Sequence, residues 1–135
     1  MAGYSGTPLV KKLGIKRGFS VAAINAPQDY RDLLGELPEG ALVHDGLDAP
    51  IDLAHLFVNT RADLEMRIGP LKDLVGPRGV IWVSWPKRSS GRSSELTENV
   101  VREVALRSGL VDVKVCAVDE TWSGLKLVTR LKDRY

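Results

Sequence analysis

Residues 51–85, IDLAHLFVNTRADLEMRIGPLKDLVGPRGVIWVSW, contain two apolar strands separated by one amphipathic helix. Residues 51–58 and 80–85 are nearly continuous in apolar side chains, which is typical of strands covered on both faces. Between them, apolar residues recur on one face of a helix. They are Leu64, Ile68, Leu71 and Val75. This strand–helix–strand pattern predicts parallel strands with a helix crossing between them.

The helix in this stretch has a clear start and a disturbed middle. Thr60 followed by Asp63 resembles a capping box with Asp in place of Glu. Pro70, preceded by Gly69, removes a backbone donor and crowds the carbonyl of Met66. We therefore expect a kink or a break in the helix at this point.

Outward from this unit, strands and helices continue to alternate. Further strands are predicted at residues 19–24, 41–44, 111–118 and 125–131, and further helices after Pro8, after Pro27 and from residue 96. The last two strands are joined by residues 119–124 alone, which predicts an antiparallel hairpin. The fold class is α/β. We expect one three-layer Rossmann-like domain over residues 1–135, with a mainly parallel sheet of about six strands and a C-terminal antiparallel hairpin.

Composition sets the broad class of protein. Leu, Ile, Val and Phe make up 40 of the 135 residues, enough for a core, and no run is long enough to cross a membrane. The N-terminus lacks the apolar segment of a signal peptide. Cys116 is the single cysteine, so it has no internal disulfide partner. We expect a soluble cytoplasmic protein.

The charge is nearly balanced but unevenly placed. Nineteen basic and 17 acidic residues leave a net charge of +2, which argues against a nucleic-acid-binding function. The first acidic residue, Asp29, follows four cations, and a second acid-free run contains Lys87, Arg88 and Arg92. Two interpretations stay open for these runs: a solvated surface, and an anion-binding rim.

The strand order, with its terminal hairpin, resembles the Rossmann-like fold of methyltransferases that use S-adenosylmethionine (SAM). The resemblance implies a SAM site at the turn after the first strand, where such enzymes carry a Gly-rich sequence. Here residues 24–29 read INAPQD and contain no glycine. Glycines allow close backbone approach to a ligand, and Pro27 has no amide donor. We therefore expect no cofactor, with SAM retained only under an alternative function.

Four sequence segments carry a second resemblance, which covers nearly the whole chain. They are SGTPL at 5–9, KKLGI at 11–15, WPK at 85–87 and DETWSGLK at 119–126. In combination they resemble the bacterial domain-of-unknown-function family numbered three thousand and fifty-two. This resemblance implies bacterial origin and a single domain, and it brings no established activity or site.

The candidate ligand site lies where the parallel strands end. Ligands of open parallel sheets bind beyond the carboxyl ends of the strands, here residues 25–28, 59–61 and 86–94. The last of these segments is basic and rich in Ser and Gly, and it leads into a helix N-terminus, which favours a phosphate or a carboxylate. A plain polar loop is the alternative. The candidate ligand-binding residues are Asn25, Asn59, Lys87, Ser90 and Arg92.

Other polar residues fit structural roles better. Asp119 and Glu120 are adjacent and point in different directions, so they are not predicted as an acid–base pair. His44 and His55 have no ligand spacing, and we expect no metal. Ser84 lacks the surroundings of a nucleophile elbow. Trp82 and Trp85 are predicted to face opposite sides of the sheet, one of them in the core and the other in the core or near the ligand edge.

Together these observations favour a non-catalytic binding module with a degenerate methyltransferase-like fold over an enzyme. Its expected ligand is a protein partner or a small anion, and a homodimer is possible through the last hairpin. The alternative is a small SAM-dependent methyltransferase with an atypical cofactor site. No membrane association is expected.

Overall fold

In the computed structural model, residues 7–44, 50–91 and 95–133 are described. Within them, six strands form one sheet: β1 Ser20–Ile24, β2 Leu42–His44, β3 Leu53–Phe57, β4 Val80–Pro86, β5 Leu110–Ala117 and β6 Trp122–Thr129. The α-helices are α1 Leu9–Leu13, α2 Tyr30–Leu34, α3 Arg61–Val75 and α4 Glu98–Arg107. Short 3₁₀ turns lie at Arg88–Ser90 and Leu131–Asp133.

The strand order across the sheet is β2-β1-β3-β4-β6-β5. The first four strands in this order are parallel to one another, whereas β6 is antiparallel to both β4 and β5. The predicted fold class, a mainly parallel six-stranded sheet ending in an antiparallel hairpin, is therefore confirmed.

Side chains that alternate along the strands divide the core into two layers, one on each face of the sheet. On the α3–α4 face, the core includes Ala22, Leu56 and Val83 with residues of α3 and α4. On the α1–α2 face, it includes Val21 and Leu53 with residues of α1 and α2. The molecule thus has three layers, as the sequence predicts.

Trp82 and Trp85 lie on opposite faces of β4, as their spacing predicts. Trp82 belongs to the α1–α2 core and donates its indole N–H to the Leu13 carbonyl at 3.0 Å. Trp85 belongs to the α3–α4 core and is also buried. Neither ring reaches the ligand edge as an exposed surface.

Helix α3 begins as predicted but does not break at Pro70. Thr60 is its N-cap, and the Thr60 hydroxyl accepts from the Asp63 amide at 3.1 Å. The helix then continues through Pro70 to Val75. Two features permit this. Gly69 has no Cβ to meet the proline ring, and Met66 and Pro70 lie on the exposed side of the helix, where water can bond the Met66 carbonyl.

None of the helices in the described part of the chain combines the length and apolarity that a membrane span requires.

Candidate functional site

The ends of three neighbouring strands meet at one edge of the sheet. β1, β3 and β4 are parallel, and they are followed by Asn25, by Asn59 after Val58, and by Lys87. From β1 the chain passes to β2 on one side and then to β3 on the other. A change of direction of this kind leaves a crevice at the carboxyl ends, which is where ligands of open α/β sheets bind.

Asn25 holds the turn after β1 in an unusual conformation. Its φ is 59°, and it is the non-glycine residue with positive φ in the described chain. Asn tolerates this left-handed region better than most residues do. Its side-chain amide donates to the Phe57 carbonyl at 3.5 Å, which links the ends of β1 and β3. Asn25 thus places a side chain in the turn after β1, where the resemblance to methyltransferases implies a Gly-rich sequence.

The loop after β4 is folded back on itself. The Lys87 amide donates to the Thr121 carbonyl at 2.7 Å, and the Ser90 hydroxyl donates to the Lys87 carbonyl at 2.6 Å. Ser90 thus stabilises the turn at Arg88–Ser90. Arg92 lies outside the described residues. The role of this loop in anion binding stays a prediction.

Carboxylates of the chain itself lie at the N-termini of the two long helices, α3 and α4, near this edge. Glu95 accepts from the Arg61 amide, the first of α3, at 2.6 Å. Helix α4 begins with Glu98 after its N-cap Thr97, whose hydroxyl accepts from the Val100 amide. These acids take the positions that the helix dipoles offer to an anion. A ligand anion would have to displace Glu95 to reach the start of α3.

A cleft of about 350 Å³ lies beside the turn after β1, on the α1–α2 face. Arg31, from α2, donates to the Val43 carbonyl at 3.3 Å across the β2 side of this cleft. The lining residues are Ala23, Asn25, Ala26, Pro27, Gln28, Tyr30, Arg31 and Val43. Of the predicted site residues, Asn25 lines the cleft. Asn59, Lys87 and Ser90 are not in its described lining.

Sequence reasoning located residues 25–28 at this edge but did not include Arg31. The missed signal is that α2 starts only five residues after Asn25, so the first turn of the helix lies over the end of β1. A cation in that first turn necessarily lies near the cleft. The cation of the cleft is therefore Arg31, whereas the sequence predicted that the cations would come from the loop after β4.

Beneath the cleft, three polar side chains form a buried hydrogen-bonded chain. The Tyr30 hydroxyl lies 2.8 Å from His55 Nδ1, and the Ser84 hydroxyl lies 2.7 Å from His55 Nε2. His55 and Ser84 are fully buried, and Tyr30 is nearly so. The His55 ring stacks on Phe57 with centroids 4.3 Å apart.

Burial fixes the protonation states in this chain. It lowers the pKa of His55 to about 3 and raises the pKa of Tyr30 above its ordinary value. The imidazole is therefore neutral and the phenol protonated at neutral pH. Ser84 has no exposed surface, and Tyr30 is the member of this chain that also lines the cleft.

The sequence did carry a signal for this chain of hydrogen bonds. His55 and Ser84 are each polar in an otherwise apolar strand, and buried polar groups require partners. In the β3–β4 register Phe57 is opposite Ser84, so His55, two residues before Phe57, has its side chain on the same face of the sheet as Ser84 and within reach of it. The sequence alone does not show this register.

The hairpin residues and the cysteine have structural surroundings. Asp119 accepts from the amides of Thr121 and Trp122, each at 2.8 Å, and so shapes the β5–β6 turn. Trp122 is buried against the edge of Phe57. Cys116 is half-buried, and this burial raises the pKa of its thiol despite the nearby Lys12, which favours an unreactive group. Among the described residues, no three His, Cys, Asp or Glu side chains are grouped as a metal site would require.

Several solved structures of methyltransferases share this fold. A SAM-dependent methyltransferase from Aquifex aeolicus superposes with a TM-score of 0.57 and 14% identity, over 88% of this chain and 86% of that one. A TehB-like SAM-dependent methyltransferase from Corynebacterium glutamicum gives 0.57 and 13%, over 96% and 91%. The magnesium protoporphyrin IX methyltransferase from Synechocystis, with bound SAH, gives 0.55 and 11%, over 90% and 78%. At these identities the likeness establishes the fold.

Sequence comparison gives a family without an activity. No curated protein matches the chain. A family model described as a protein of unknown function, DUF3052, matches residues 11–131.

Proposed function

The chain belongs to the DUF3052 family, and we propose that it is a non-catalytic binding module for a small anionic molecule, held in the cleft beside Asn25. The observation that carries the proposal is the chemistry of the cleft lining. Its described residues supply one guanidinium, Arg31, and two side-chain amides, Asn25 and Gln28. They supply no carboxylate, thiol or imidazole that would act as a base or a nucleophile.

Arg31 is the group that favours an anion. A guanidinium presents several N–H donors in a plane, a geometry that suits a carboxylate or a phosphate. One of its NH₂ groups already donates to the Val43 carbonyl, which holds the side chain at the cleft wall. Amides such as Asn25 and Gln28 orient a polar ligand by hydrogen bonds without changing its charge. This set of groups suits recognition of an anion better than a reaction on it.

Tyr30 also lines the cleft but does not act as a base in this proposal. Its hydroxyl lies 2.8 Å from His55, inside the core, and burial raises its pKa. The phenol therefore stays protonated at neutral pH and directed away from a ligand.

The alternative is a small SAM-dependent methyltransferase with an atypical cofactor site. The fold neighbours support it, since two of them are SAM-dependent methyltransferases and a third holds SAH. The turn after β1 fits SAM poorly in the usual mode. The turn contains no glycine, Pro27 offers no amide donor, and α2 has only five residues.

Isothermal titration calorimetry distinguishes the two functions. The full chain is titrated with inorganic phosphate, malonate, SAM and SAH at pH 7.5 and low salt. We expect saturable binding of phosphate or malonate, and no saturable heat with SAM or SAH. One-to-one binding of SAM or SAH that is tighter than that of either anion would overturn the proposal in favour of the methyltransferase.

A variant pair tests the location of the site. Arg31→Gln removes the cation, and we expect at least tenfold weaker anion binding, or about 1.4 kcal/mol. Arg78→Gln is the matched control, because Arg78 is an exposed arginine in the α3–β4 turn, outside the cleft lining. It should leave the affinity unchanged. Equal weakening in both variants would indicate nonspecific charge attraction instead of a cleft site.

A further inference from the structure

A second depression lies on the α3–α4 face, away from the cleft beside Asn25. Its volume is about 270 Å³, and it is lined by Ile24, Met66, Arg67, Pro70 and Leu71. On this face α3 packs mainly on β3 and β4, and α4 mainly on β5 and β6. The β1–β2 part of the sheet is therefore left beside an open groove, which we call the α3 groove.

The surroundings of the α3 groove are apolar and exposed. Met66 on α3 and Leu42 on β2 are 64% and 60% exposed, among the most exposed large apolar residues of the described chain. Leu42 is on the same face because it pairs with Ser20. Ser20, Ala22 and Ile24 are alternate residues of β1, so their side chains share one face of the sheet. A surface of this kind favours an apolar ligand body.

Arg67 supplies a positioned cation in the lining of the α3 groove. Its Nε donates to the Asp63 carboxylate at 2.8 Å, one helical turn earlier, which fixes the plane of the guanidinium. The two terminal NH₂ groups make no hydrogen bond with the described residues. They are the groups with which a guanidinium binds a carboxylate in a bidentate manner.

We infer that the α3 groove binds a small monocarboxylic acid with an apolar body. The carboxylate bonds the terminal NH₂ groups of Arg67, while the body rests on Ile24, Pro70 and Leu71. The volume equals that of about nine water molecules, which suits a ligand of about ten non-hydrogen atoms. This site is separate from the cleft of the proposed function and shares no lining residue with it.

Titration with 3-phenylpropanoate, followed by ¹H–¹⁵N NMR on the full chain, tests the site. We expect saturable shifts of the Ile24, Met66 and Leu71 amides, and weaker binding of the neutral 3-phenylpropanamide. Shifts confined to other parts of the chain, or no saturable shifts, would overturn the inference. So would groove signals that move on dilution of the protein alone, because the occupant would then be a second copy.

Two arginine variants form a matched pair. Arg67→Met and Arg107→Met each remove an arginine that is paired with an acid four residues earlier, on α3 and α4 respectively. We expect Arg67→Met to weaken binding of the acid at least tenfold and of the amide less than twofold, whereas Arg107→Met changes neither. Equal effects of the two variants would contradict the site. Thermal unfolding of each variant, compared with the wild type, establishes that the fold is retained.

Discussion

His55 is bonded at both ring nitrogens within an otherwise apolar strand. A neutral imidazole has one N–H donor and one acceptor, and the hydroxyls of Tyr30 and Ser84 can each serve either one. The arrangement therefore satisfies the neutral ring fully. Protonation would place a charge in the core with no carboxylate partner in the hydrogen-bonded chain. This explains why burial lowers the pKa of His55 to about 3.

The lowered pKa predicts how stability depends on pH. The unfolded chain takes up a proton at His55 near pH 6.5, whereas the folded chain does so near pH 3. Acid therefore favours the unfolded state, and this loss grows as the pH falls from about 6.5 towards 3. Between pH 7.5 and 5.0, we expect His55 alone to lower the free energy of unfolding by about 2 kcal/mol.

Urea unfolding of the wild type and His55→Gln at both pH values measures this term. The variant should lose about 2 kcal/mol less than the wild type over the interval. His44→Gln is the matched control, since it removes the other imidazole and leaves His55 in place. If His55→Gln lost as much stability as the wild type, the assignment to His55 would be wrong.

At the scale of elements, the sequence predicted what depends on local pattern. Apolar continuity located β1, β3 and β4, and alternation located the β5–β6 hairpin, because these signals belong to neighbouring residues. Of the kink or break predicted at Pro70, the break was wrong, because α3 continues to Val75. The general cost of an interior proline was known, but the exposure of Met66 and Pro70 depends on which side of the helix faces the sheet.

The accommodated proline predicts a stabilising substitution. Pro70→Ala restores an amide that can bond the Met66 carbonyl, although it frees the unfolded chain slightly. We expect the free energy of unfolding to rise by about 2 kcal/mol, measured by urea unfolding at pH 7.5. Pro77→Ala, in the exposed turn after α3, should instead be neutral or lower it by up to about 1 kcal/mol. A lower free energy of unfolding for Pro70→Ala would contradict this prediction and would show that the proline ring itself stabilises the fold by packing.

At the scale of the whole molecule, the edge that carries the proposed site could be predicted from the sequence, and the groups that line its cleft could not. Parallel strands end together, so Asn25, Asn59 and Lys87 were expected at one edge, and they lie there. The cleft itself uses Arg31 and Gln28 beside Asn25, because the short α2 folds over the end of β1. That placement depends on the packing of Tyr30 against His55, a contact 25 residues apart in sequence.

Strand β5 forms one edge of the sheet. β5 pairs with β6 alone, and its pairing is interrupted between Asp112 and Lys114. Val113 and Val115 are 56% and 48% exposed on this edge, with Lys114 between them. A bulge and a lysine are features that discourage edge-to-edge pairing of sheets. They weigh against edge-to-edge pairing of two chains through β5. A homodimer through the face of the last hairpin stays a prediction.

Removing that lysine should therefore promote self-association. In Lys114→Val the edge presents three consecutive valines without a charge, so strands of two molecules can pair with less electrostatic and desolvation cost. We expect sedimentation velocity at increasing protein concentration to show larger species for the variant than for the wild type. Lys132→Val, which removes an exposed lysine from the 3₁₀ turn Leu131–Asp133, is the matched control and should behave as the wild type does. Identical sedimentation of Lys114→Val and the wild type would mean that the bulge alone protects the edge.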